Sequence, residues 1–279
     1  MRFTKMHGAG NDYVYINGFE EEVEDPVTLA QRVSNRQFGI GSDGLILILP
    51  STVADVRMRM FNIDGSEGRM CGNGIRCVAK YAYDHGLVEQ LEMTVETGSG
   101  ILSLSMTVGA SGKVDFVQVN MGAPGLTRGD VPMVGSVTEK AISISLEVAN
   151  RRFEATCLSM GNPHAVIFVD AVEQFPVAEI GQLIENHIWF PERVNVEFVQ
   201  VHSPTEVIQR TWERGSGETL ACGSGASAVA VAGVLTGRTE RKIINHLRGG
   251  DLELEWLETG SVMMTGPAVE VFSGNFDPQ

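Results

Sequence analysis

Apolar and polar residues alternate along many short stretches of this chain. In the first half these are "VRMRMFN" (56–62), "EMTVET" (92–97), "ILSLSMTV" (101–108) and "VDFVQVNM" (114–121). In the second they are "EVIQRTWE" (206–213), "LELEWLE" (252–258), "SVMMTG" (261–266) and "AVEVF" (268–272). A period of two predicts strands with one buried face. "DYVYINGF" (12–19) and "HAVIFVD" (164–170) read as strands that each follow a Gly-Asn turn. "LILIL" (45–49) reads as a buried strand, and "KAISISLEV" (140–148) as an additional strand of the second half. Two segments break the alternation. Residues 72–85 and 223–236 have helical length, are apolar on most sides near their starts, and meet Gly86 and Gly237 where a helix would stop. A helix that is apolar all round is expected to be buried on every face.

The two halves repeat one another. Cys222 lies 151 positions after Cys71, and the same offset places Val56 on Val207, Arg59 on Arg210, Glu67 on Glu218 and Gly86 on Gly237. Between residues 56 and 86 nine positions are identical, where ordinary composition gives about two. Gly10-Asn11 falls on Gly161-Asn162, and "TGSGILSLS" (97–105) falls on "RGGDLELEW" (248–256). This pattern predicts an α/β chain of α+β type with two pseudo-symmetric halves, each a curved sheet wrapped around one central helix. The expected halves are residues 1–121, completed by a C-terminal strand in 266–279, and residues 122–265. A linker falls around "GAPGLTRGD" (122–130), and the active site is expected in the cleft between the halves.

Composition narrows the function. A formal net charge of −14 disfavours nucleic acid and anionic membranes as partners. The N-terminus has no apolar signal region, and the longest apolar stretches are too short to span a bilayer, so a cytoplasmic protein is expected. Its four cysteines are then free thiols. They contain no C-x-x-C spacing, so no metal site is expected. "GIGSDG" (39–44) matches G-x-G-x-x-G, but a strand follows it rather than a helix. It reads as a tight turn and not as a dinucleotide site.

Cys77 and Cys157 read as buried small hydrophobes. Cys71 and Cys222 differ. Each precedes Gly-x-Gly at the first turn of a helix, in "MCGNGIRCVA" and "ACGSGASAVA". Unpaired N–H groups and the helix dipole there favour an anion and a thiolate. The glycines let a carboxylate approach the same N–H groups. A pseudo-twofold arrangement would set the two thiols against one another. Two equivalent acid–base groups on opposite faces of one atom are what inversion of a stereocentre requires. On the residues alone, a two-thiol racemase for another amino acid and a non-catalytic amino-acid binding module remain alternatives.

The motifs "GAGNDYV", "FNIDGSEGRMCGNGIRC", "MGNPH", "ERGSGETLACGSG" and "GPAVEVFSG" run in this order over essentially the whole chain. Together they resemble the diaminopimelate epimerase family. The resemblance implies a cofactor-independent isomerase of lysine biosynthesis, interconverting LL- and meso-diaminopimelate, usually as a homodimer. It implies Cys71 and Cys222 as catalytic bases, with His164 and Glu213 modulating the thiols. Asn11, Asn62, Asn162, Asn195, Glu213 and Arg214 are implied as substrate contacts, with backbone groups at Gly72-Asn73 and Gly223-Ser224. Gly44 departs from the pattern: some relatives carry a substrate-contacting glutamine there.

Overall fold

The computed structural model describes residues 1–277. Of the expected closing segment 266–279, residues 278–279 lie outside the described residues. The elements in chain order are β1 (Arg2–Gly8), β2 (Asn11–Asn17), α1 (Pro26–Ser34), β3 (Gly44–Leu49), β4 (Val56–Asn62), β5 (Glu67–Gly68), α2 (Gly72–Asp84), β6 (Glu92–Thr97), β7 (Gly100–Val108) and β8 (Val114–Asn120). They continue as β9 (Ala141–Val148), β10 (Arg151–Ser159), β11 (Pro163–Phe168), α3 (Val177–Glu185), β12 (Asn195–Ser203), β13 (Glu206–Glu213), β14 (Gly217–Thr219), α4 (Gly223–Leu235), β15 (Lys242–Leu247), β16 (Gly250–Trp256), β17 (Val262–Pro267) and β18 (Val269–Asn275). One compact unit holds Met1–Val119 with the chain from Thr265 onward; the other holds Asn120–Met264.

The units share a topology. In the first, β2 runs antiparallel to β1 and parallel to β3, and β4 runs antiparallel to β3 and parallel to β6. In the second, β11, β10, β12, β13 and β15 repeat those relations. Even the register is kept, Val14 opposite Leu45 and Ala165 opposite Val196. β9 lies antiparallel on β10, and β18 lies antiparallel on β1. The strands β1, β2, β4, β6, β7 and β18 surround α2; β10, β11, β12, β15 and β16 surround α4. Among the described residues no helix is long and apolar enough to cross a membrane.

α4 follows from its composition. Val229 and Val231 are wholly buried, each contributing about 2 kcal/mol. Ala226, Ala228, Ala230 and Ala232 are buried, and Gly233 leaves room for Thr239, which follows the helix. Gly86 and Gly237 follow the helix ends with positive φ, where a β-carbon would be strained.

Two expectations change. The offset of 151 does not persist into the second hairpin. Thr97 pairs with Gly100, and Leu247 pairs with Gly250, so the spacing there is 150. The connection after α4 is one residue shorter. The strand read as additional to the second half, β9, has a counterpart: it lies on β10 as β18 lies on β1, and β1 precedes the first Gly-Asn turn as β10 precedes the second. Alternation did not expose β1, β10, β12 or β15. The two short helices α1 and α3 were also missed. α1 carried a signal, Asp25-Pro26: the Asp25 carboxylate accepts from the Thr28 N–H at 3.1 Å, and proline at the first turn forfeits no bond. The "GIGSDG" segment caps α1, since the Ile40 and Gly41 N–H groups donate to Val33 O before the chain enters β3.

Candidate active site

Both cysteines cap helices of 13 residues with extended backbone, φ −135° and ψ 116° at Cys71, φ −125° and ψ 111° at Cys222. Each sulfur accepts from the backbone N–H three residues on. Gly74 donates to Cys71 Sγ at 3.3 Å, and Gly225 donates to Cys222 Sγ at 3.4 Å. Sulfur thus takes the place of the usual Ser or Asp oxygen at the cap. Gly72, Asn73, Gly223 and Ser224 form the first turns, where N–H groups point beyond the helix.

In the first unit, Cys71 is partly exposed, and its thiol donates to Asn11 Oδ1 at 3.4 Å. Asn11 is held from its other end, donating through Nδ2 to Asp43 at 2.7 Å. Arg36 ties Asp43 to Asp12 with bonds of 2.9 and 2.8 Å. One turn into α2, Arg76 is wholly buried and donates to Gly72 O, Asn73 Oδ1 and Pro267 O. Burial pulls its guanidinium below the ordinary value, while Cys77 and Cys71 favour its charge. Asn62, at the end of β4, donates to Ser66 Oγ at 3.0 Å. At Gly44 a β-carbon would meet the Phe61 carbonyl and the Tyr13 ring, so this backbone leaves no room for a side chain.

In the second unit, Cys222 is only 6% exposed, and Ser224 Oγ lies 3.5 Å from its sulfur. Burial, then the charges of Glu213 and Glu197, push this thiol well above its usual range. Burial also raises Glu213, opposed by a 2.6 Å hydrogen bond from the Thr219 hydroxyl. His164 is wholly buried between Glu197 Oε1, 2.8 Å from Nδ1, and Asn162 Oδ1, 2.9 Å from Nε2. Asn195 is used at both ends: Nδ2 donates to Pro163 O, and Oδ1 accepts from the Arg214 N–H, each at 2.9 Å. That bond fixes the backbone of Arg214, whose exposed guanidinium donates to Glu192 O. Cys77 and Cys157 are buried, and burial pushes them up to about 11 and about 12. They belong to the core.

Asp43, Arg76, Glu197 and Thr219 take part without having been singled out in the sequence. Glu197 had a signal: a lone charge in the apolar run "NVEFV". So had Arg76, a cation on a helix otherwise expected to be buried.

The duplicated arrangement is shared by solved structures. A PhzF-family phenazine biosynthesis protein from Bacillus anthracis superposes with a TM-score of 0.72 at 19% identity, covering 98% of each chain. A hydroxyproline epimerase from Agrobacterium vitis does so at 0.70 and 15%, covering 100% of this chain and 92% of its own. These likenesses define the class as the α+β fold of PhzF-like and proline racemase-like proteins. Sequence narrows it further. The diaminopimelate epimerase family model matches residues 3–127 and 156–271. Proteins named diaminopimelate epimerase from Agathobacter rectalis, Leptospira biflexa and Bacillus cereus are 55%, 52% and 53% identical. Each match covers 99% of this chain, and 99%, 99% and 96% of the respective relative. The chain belongs to the diaminopimelate epimerase family.

Proposed function

We propose that this protein is an isomerase that interconverts LL- and meso-diaminopimelate in lysine biosynthesis, using two thiols and no pyridoxal cofactor or metal. The observation that carries the reading is the matched pair of sulfur caps. Cys71 and Cys222 take the same geometry on equivalent helices, in a family whose named members are epimerases of this substrate.

One thiolate takes the α-proton; the other thiol returns a proton to the opposite face, so both orders run and the roles reverse. An ordinary thiol, with pKa of about 8.5, is a weak base for an α-proton. The carbanion therefore needs stabilisation where charge develops, on the reacting carboxylate. N–H groups at the first turns, Gly72-Asn73 and Gly223-Ser224, serve that carboxylate. Burial of Cys222, with the charge of Glu213 beside it, holds the proton on this thiol, and His164 and Glu213 modulate the thiols. Asn11 and Asn162 supply amides beside the reacting centre. Asn62, Asn195, Glu213 and Arg214 bind the remote amino-acid end. Asn195 Oδ1 keeps a second lone pair for an ammonium, and Arg214 offers a planar fork to a carboxylate.

The protein works in the cytoplasm, where its four free cysteines stay reduced. Its net charge of −14 fits a small zwitterionic ligand better than nucleic acid. It acts as a homodimer; the exposed Val269, Val271 and Phe272 on β18 supply apolar surface for a second copy. The test is incubation with LL-diaminopimelate in D₂O followed by chiral analysis. Meso product deuterated at the inverted carbon is expected. Unchanged substrate with no label would refute the assignment.

A further inference from the structure

Glu197 lies on β12, and by the 151-residue offset its counterpart is Ile46 on β3. The two occupy the same space. A β-carbon on Gly74 would meet Ile46 Cδ1 at 2.6 Å, and one on Gly225 would meet Glu197 Oε1 at 2.5 Å. Each therefore packs against the first turn of its unit's central helix. Isoleucine fills that space in one unit, so packing alone does not call for a carboxylate in the other. A buried carboxylate is costly unless hydrogen-bonded. Glu197 is wholly buried, and its Oε2 has no hydrogen-bond partner among the described residues. Its other oxygen is committed to His164 Nδ1 at 2.8 Å. The contact with His164 is what a carboxyl group supplies there and isoleucine cannot.

That contact constrains a hydrogen elsewhere. His164 Nε2 faces Asn162 Oδ1 at 2.9 Å, and an amide oxygen only accepts. Nε2 must carry a hydrogen. One further proton lies between Nδ1 and Glu197 Oε1. Whichever of those atoms holds it, Nδ1 is engaged and Nε2 keeps its own hydrogen, because the partner of one ring nitrogen sets the state of the other. With its oxygen turned to His164, the Asn162 amide is fixed in one orientation, and its NH₂ group points away from the ring. The first unit does the opposite. There Asp43 holds the NH₂ of Asn11 and leaves the oxygen to the Cys71 thiol.

We infer that Glu197 is a positioning residue: paired with Nδ1, it keeps the hydrogen on His164 Nε2, which fixes the Asn162 amide with its NH₂ group presented to the substrate. The substrate part of this inference rests on the proposed epimerase reaction; the hydrogen placement does not. The test begins with the ¹⁵N ring spectrum of His164 in the ligand-free wild-type protein. A hydrogen directly bonded to Nε2 is expected. A ring protonated at Nδ1 alone would overturn the inference, with no variant needed. Glu197→Ile, which copies the other unit, should mix the ring tautomers and lower kcat/KM on the order of tenfold, the scale of one hydrogen bond to a charged group. Glu197→Gln can donate to Nδ1 and keep Nε2 protonated, so it should recover most of that loss. A folded Glu197→Ile with wild-type spectrum and kinetics would overturn the inference, as would Glu197→Gln impaired as severely as the isoleucine variant. If the wild-type ring carries the Nε2 hydrogen but diaminopimelate is not epimerised, the reaction assignment fails and the pairing stands.

Discussion

The starts of α2 and α4 are copies with opposite surroundings. Both helices have 13 residues, both are capped by cysteine sulfur, and both sulfurs accept from the glycine three residues on. Ile46 packs against the start of α2, and Arg76 is buried one turn on. By the 151-residue offset, the counterparts of Ile46, Tyr13, Asn62 and Arg76 in the second unit are Glu197, His164, Glu213 and Ser227. Backbone geometry was preserved while charge diverged. Cys71 has a buried cation nearby and a partly open face. Cys222 is closed in, and burial together with the charges of Glu213 and Glu197 raises its thiol. The proposed reaction asks the two thiols to differ in protonation, and their neighbours differ although their caps are alike.

The largest effect that could break this comparison comes from removing either sulfur. Cys71→Ala and Cys222→Ala should each lower inversion by at least about a thousandfold, since each deletes one of the two proposed proton-transfer groups. The surviving thiol can still exchange the α-proton it faces. Inversion and solvent exchange should therefore separate when both are followed in D₂O by chiral analysis and mass spectrometry. A single variant that inverts at the wild-type rate would show that the two caps are not partners.

Arg76→Ser gives the first unit the residue of the second. Ser227 Oγ donates to Gly223 O at 2.9 Å, so serine at 76 can satisfy Gly72 O in the same way. Asn73 Oδ1 and Pro267 O lose a donor. The expected loss is about 2 kcal/mol in urea unfolding, the scale for removing hydrogen bonds from a buried charged donor. Wild-type stability would mean that the cation is not integrated into the unit.

Alkylation sharpens the electrostatic side. At pH 8, iodoacetamide should modify Cys71 before Cys222, with rates differing on the order of tenfold or more, and should leave Cys77 and Cys157 until unfolding. Peptide mapping over time reads the order directly. If Cys222 reacts first, the carboxyl groups around it do not hold its proton.

Much of this was legible without coordinates, for identifiable reasons. β4, β6 and β13 each have one buried face, so alternation exposed their bounds. The Gly-x-Gly after each cysteine, and the glycines with positive φ at 86 and 237, marked both ends of the central helices. The short helices escaped because nine residues give about two and a half turns of periodicity, too few to stand out. β12 escaped because it is buried on both sides over Asn195–Val199 and does not alternate. Within the site, sequence motifs pointed to Asn11, Asn162 and His164 but not to the residues that orient them. Asp43 and Glu197 act through tertiary contacts 32 and 33 positions away, which no local spacing encodes.

The smallest effect concerns alkaline stability. Cys77, Cys157 and Cys222 all have folded-state values raised by burial, toward about 11 and about 12 for the first two. A thiol raised in the folded state makes its full contribution below the unfolded value of about 8.5. As pH rises past that value, the unfolded chain releases the proton while the folded chain keeps it. Stability then falls, and continues to fall until the folded-state value is reached. Near pH 10 each such thiol should remove about 2 kcal/mol, an order-of-magnitude figure from one to two units of mismatch. Urea unfolding between pH 8 and pH 10 measures the slope. Cys222→Ala should make it shallower by one thiol's share, although alanine leaves a small cavity that lowers stability equally at both pH values. The slope therefore separates charge from packing. If Cys222→Ala has the wild-type slope, the Cys222 thiol is not held neutral by its surroundings, and the contrast between the two caps lies in exposure alone.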